Sequence, residues 1–101
     1  MYTPDKWVVL EITNKDKKIR KVLASFYGGY LSGDSWKLNS GIESTVETDE
    51  YYDFTGYSGS TYRCYKNAEG MSGYTAGVYS HLQKKATENN GSVEIIKMQK
   101  E

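Results

Sequence analysis

Two residue periods organise this chain, and the longer one occupies a single stretch. Up to Lys66, apolar and polar residues alternate in short runs broken by Gly, Ser, Asn and Asp, the pattern of half-buried strands joined by tight turns. Beyond Ser72 the period lengthens. Tyr74, Val78, Leu82 and Ala86 recur every four residues, with Ala76 and Tyr79 at the edge of the same helical face. Strands that come first and close together, with one helix after them, favour a meander over parallel crossovers. The expected class is therefore α+β: an antiparallel, strongly twisted sheet of five or six strands with one helix near the C-terminus packed across it. A small open β-barrel with an appended helix is the alternative. At 101 residues the whole chain is expected to be a single domain.

The runs themselves place the elements. Trp7–Ile12 sets Val8, Leu10 and Ile12 against Trp7, Val9 and Glu11, a strand with both faces at least partly covered, and Ile19–Phe26 returns beside it as a hairpin. Trp36 to Leu38 starts a short strand, and Gly41–Glu47 alternates weakly, as an edge strand does. Tyr51–Tyr57 pairs with Ser60–Lys66 across a turn at Ser58-Gly59. Ser72 suits a helix N-cap, Lys84 and Lys85 the negative end of its dipole, and Asn89-Asn90-Gly91 its stop. Gly77 costs about 1 kcal/mol inside a helix, so close packing is expected there. Val93–Met98 is the last strand.

Composition narrows the function. Thirteen basic and thirteen acidic residues cancel, which removes the field of a protein that neutralises many phosphates of duplex DNA. The cluster Lys15, Lys17, Lys18, Arg20 and Lys21 is interrupted by Asp16 and reads as a solvated hairpin end. With one cysteine there is no intrachain disulfide. Met1 leads into the first strand without an apolar signal segment, and the longest apolar run, Trp7–Leu10, is far too short to span a bilayer. A cytoplasmic location without membrane contact is the expectation. Zero net charge also leaves the chain weakly self-repelling, so a symmetric homodimer is the default if it associates.

No catalytic motif stands out. Cys64 and His81 are the only cysteine and histidine, so a cysteine-dependent enzyme would have to use them together; Cys64 reads as a small buried strand residue and His81 as a boundary residue of the helix. One of each is also too few for structural zinc, and neither metal nor cofactor is expected. In Gly56–Ser60, serine and glycine fall in the wrong order for a nucleophile elbow.

Ten tyrosines are the outlier, and many of them share segments with glycine and serine. Tyr27, Tyr30, Trp36, Tyr57, Tyr62 and Tyr65 offer rings on which a base can stack, and Lys37, Arg63 and Lys66 offer counter-charge. The amides of Gly28, Gly29, Ser58, Gly59 and Ser60 can cradle a phosphate. These groups suit a nucleotide-like small molecule. The same tyrosine-serine-glycine vocabulary also builds protein-binding faces, which makes a protein-binding face the nearest rival.

The segments KWVVLEI, KVLASFYGGYLSGDSWKLNSGI and YYDFTGYSGSTYRCYK resemble short uncharacterised accessory proteins of tailed bacteriophages. The resemblance covers about the first two-thirds of the chain and brings no catalytic residues with it. It implies an accessory protein in the cytoplasm of an infected host cell. Such proteins often antagonise host defence, by sequestering a nucleotide-derived immune signal or by blocking a host protein.

Overall fold

The computed structural model describes residues 1–28 and 33–99. Its elements in chain order are β1 (Lys6–Asn14), β2 (Lys17–Phe26), β3 (Ser35–Leu38), β4 (Ile42–Glu47), β5 (Tyr51–Gly56) and β6 (Thr61–Tyr65). A single 3₁₀ turn (Lys66–Ala68), α1 (Gly73–Glu88) and β7 (Gly91–Ile96) follow. Among the described residues the seven strands form two antiparallel sheets, ordered β3-β2-β1-β7 and β4-β5-β6. The α+β class with one helix near the C-terminus therefore holds. The strand number and the single sheet are corrected, and no barrel closes.

The division has a local cause at Asn39. Its backbone N–H donates to the Val22 carbonyl and its side-chain Oδ1 accepts from the Val22 N–H, so one asparagine ends the pairing of β3 with β2. Gly41, at φ 129°, then turns the chain away into the second sheet.

β1 is the central strand because its residues can be buried on both faces. Val8 and Leu10 join Leu23 and Val93 beneath α1, which adds Val78, Tyr79, Leu82 and Ala86. Trp7 and Val9 face the other way and meet Val22, Ala24, Tyr52, Phe54, Tyr62 and Cys64 between the sheets. Burying each large apolar side chain in these layers stabilises the fold by about 1.5–3 kcal/mol. Trp7 ties the layers together: its indole N–H donates to the Tyr65 carbonyl at 2.7 Å, and its ring meets Tyr52 and Phe54 edge-on at 5.8 Å.

The helix begins where expected. Ser72 caps it in a reciprocal box with Thr75, and its hydroxyl lies 3.0 Å from that of Ser25 on β2. Two helix expectations fail. Tyr74 is exposed while Thr75 is buried, because the packed stripe runs through Thr75, Val78, Tyr79 and Leu82 at helical spacing and leaves Tyr74 outside it. Gly77 is exposed, and a Cβ there would meet nothing within 4 Å. Among the described residues, no helix is long and apolar enough to cross a membrane.

Candidate ligand groove

The most chemically distinctive surface lies along the first half of β2. Register sets Asn14 against Lys17, Ile12 against Ile19 and Leu10 against Lys21, so these six side chains share the face that β1 and β2 turn toward the helix layer. β3 pairs with β2 only from Leu23 to Phe26, so among the described residues the lysine half is paired with β1 on one edge and with no strand on the other. Tyr57, from the β5–β6 turn, closes the flank. A Cβ at Gly41 would lie 2.7 Å from Ile19 Cδ1 and 3.0 Å from Tyr57 Cδ2, so the approach of those two side chains requires glycine. The result is an open groove of about 580 Å³, lined by Ile12, Asn14, Lys17, Lys18, Ile19, Lys21 and Tyr57.

The electrostatics of this groove are one-sided. Glu11 is shared between Arg20 at 3.3 Å and Lys18 at 3.9 Å. Lys17 and Lys21 have no acidic partner within 4.0 Å among the described residues. Two uncompensated ammonium groups thus flank an apolar floor of Ile12 and Ile19, beside a tyrosine that is 64% exposed. Positive charge, apolar surface and an exposed aromatic ring therefore stand side by side in one concavity.

The residues expected to form one site are instead spread over several places. Tyr57 is in the groove, and the turn behind it is held by the Ser58 N–H on Ser40 Oγ (3.0 Å) and the Ser40 hydroxyl on Ser58 Oγ (3.2 Å). The Gly59 N–H donates to the Gly56 carbonyl, and the Ser60 carbonyl accepts from the Gly56 N–H, both at 2.9 Å. The Ser58 and Gly59 amides are therefore engaged in closing the turn.

Tyr62 is 4% exposed and lies between the sheets, tilted against Tyr2 at 4.9 Å; burial raises its phenol above the ordinary value. It offers no stacking face. Arg63 and Tyr65 point to the opposite side of the second sheet, where Arg63 makes two 2.9 Å bonds to Asp53, lies 4.1 Å above the Tyr51 ring, and is kept protonated by that carboxylate. Lys66 is held similarly by Glu47 at 2.7 Å.

Tyr27, Gly28, Trp36 and Lys37 sit at the far end of β2. Seven residues, about 23 Å of extended strand, separate Ile19 beside Tyr57 from Phe26, where that connection begins. There Tyr27 N–H donates to Asp5, Lys37 lies 5.2 Å from the Tyr2 ring centroid, and Gly28 packs against the Gly33 backbone. Gly29 and Tyr30 lie outside the described residues.

A second cavity of about 460 Å³ lies beside Val8, Met71 and Ile95, but its one carboxylate, Glu69, already accepts from the Met98 and Gln99 amides. Cys64 is fully buried between the sheets, and burial pushes its thiol well above the ordinary range. His81 is exposed on α1, which packs on the other face of the four-stranded sheet, so the two cannot act together. Comparison with protein-family models, curated proteins and solved structures finds no match.

Proposed function

We propose that this chain is a non-enzymatic binding protein whose ligand is a nucleotide-like small anion held in the groove between β2 and Tyr57. One observation carries the reading: the exposed Tyr57 ring, the apolar pair Ile12 and Ile19, and the unpaired Lys17 and Lys21 converge on one concavity. Its volume lies within the roughly 300–1,000 Å³ common for small-molecule sites. The base stacks on Tyr57 and the phosphates meet the lysines. In a cell infected by a tailed phage, such a protein sequesters a nucleotide-derived signal without chemistry.

A protein-binding reading is favoured separately by the outer face of the second sheet, where Tyr51 and Tyr65 meet edge-on at 5.5 Å beside Arg63. Native mass spectrometry with mono-, di- and cyclic nucleotides tests the first reading. A stoichiometric adduct that Tyr57→Ala weakens about 5- to 150-fold, the equivalent of 1–3 kcal/mol of base stacking, supports it. An unliganded spectrum across the panel contradicts it.

A further inference from the structure

Strand β4 is the least covered element among the described residues. Ile42 packs on the core, but every residue from Glu43 to Glu47 is exposed, on both faces of the strand. One backbone edge is also free. The Thr48 N–H donates to the Tyr51 carbonyl, so alternation makes Val46↔Asp53 and Ser44↔Thr55 the hydrogen-bonded pairs with β5. Thr45 and Glu47 therefore turn their N–H and C=O groups away from β5, toward the open side of the sheet.

Edge strands are normally blunted by charges, proline, bulges or a covering segment; β4 has two glutamates and a bulge between Ile42 and Ser44, but from Ser44 to Glu47 its pairing is regular and it carries no lysine or proline. Its charge is of one sign. Between Lys37 and Arg63 there is no Lys or Arg, whereas Glu43, Glu47, Asp49, Glu50 and Asp53 all fall there. Arg63 holds Asp53 and Lys66 holds Glu47, while Glu43, Asp49 and Glu50 have no basic partner within 4.0 Å among the described residues. A second copy is a poor occupant. Antiparallel self-pairing centred on Thr45 sets Glu43 against Glu47, and pairing centred on Val46 sets Glu43 against Asp49.

We propose that β4 is a docking edge for an extended segment of a protein partner that carries lysine or arginine, added as a fourth strand to the β4-β5-β6 sheet. This goes beyond the groove and does not depend on it. Main-chain bonds to Thr45 and Glu47 hold the segment, Val46, 60% exposed, gives it an apolar contact, and the free carboxylates select its charge.

The probe is a synthetic ten-residue peptide alternating lysine with threonine or valine, compared with its glutamate counterpart by calorimetry and amide exchange. The lysine peptide is expected to bind at least tenfold tighter and to slow exchange at Thr45 and Glu47. Thr45→Pro removes an N–H that pairing with β5 does not use, and is expected to keep the native amide spectrum and weaken binding at least tenfold. Glu43→Lys, which leaves the backbone intact, is expected to weaken it several-fold. Equal binding of both peptides, or binding within twofold in a folded Thr45→Pro and in Glu43→Lys, overturns the proposal, as does β4-dependent dimerisation without peptide.

Discussion

Replacing Gly77 with alanine is expected to stabilise the protein. Gly77 occupies the fifth position of the sixteen-residue helix α1, is exposed, and beyond its chain neighbours and its own helix backbone has no heavy atom within 4 Å of where a Cβ would stand. The substitution therefore adds no clash and removes only the backbone freedom that glycine loses on folding, about 0.8–1.0 kcal/mol in a helix interior. For a domain of this size that raises Tm by roughly 4–8 °C. In urea, with a slope of about 1–3 kcal/mol per molar, the midpoint rises by roughly 0.3–1 M while the slope stays the same. Circular dichroism at the helix band measures both. A fall in the midpoint would show that this side of α1 is covered, and would refute the placement of the helix.

Gly91→Ala has the opposite sign, since a Cβ there would stand 2.4 Å from the Thr13 carbonyl oxygen in the β1–β7 pair; a loss of about 1–3 kcal/mol is expected from urea titration. In the folded protein Cys64 is expected to react with a thiol reagent only as fast as the core opens, and a rate equal to that of an exposed thiol would contradict its burial. Stability is expected to fall with alkaline pH. Burial raises Cys64, Tyr52 and Tyr62 in the folded state, so the unfolded chain loses these protons first and the folded state is penalised as pH rises. Their contribution is complete well below about pH 8.5, where an ordinary thiol is half ionised, and declines further past about pH 10 with the phenols. Urea midpoints from pH 7 to 10.5 check this. Cys64→Ala is expected to remove the earlier part of the fall, and a flat profile would contradict the assignment.

The elements were largely legible from residue order because each depends on local pattern. WVVLEI is apolar on both faces and becomes the doubly covered central strand, and Ser72, Lys85 and Asn89 bound the helix as their chemistry dictates. The second sheet was not legible. It rests on Asn39 engaging both backbone groups of Val22, a contact seventeen residues away that no alternation encodes.

The candidate site divides along the same line. Alternation already separates Tyr62 from its neighbours Arg63 and Tyr65, since residues one and three apart on a strand cannot share a face. Lys17 and Lys21 read in sequence as an ordinary solvated hairpin end, with the strand beginning only at Ile19, whereas β2 starts at Lys17 and sets all three on one face. What makes them a groove is Tyr57, brought beside Ile19 by a chain reversal at Gly41. That meeting is tertiary, and only the fold reveals it.

The central claim is that nucleotide-like anions bind between β2 and Tyr57. The most direct measurement is an amide-shift titration of the ¹⁵N-labelled protein with the tightest nucleotide of the panel, repeated on Lys17→Gln/Lys21→Gln. The account predicts saturable shifts concentrated at Ile12, Asn14, Lys17–Lys21 and Tyr57, with affinity reduced at least tenfold in the double variant. Saturable shifts centred instead on Tyr27, Trp36 and Lys37, or binding unchanged in the double variant, would contradict it.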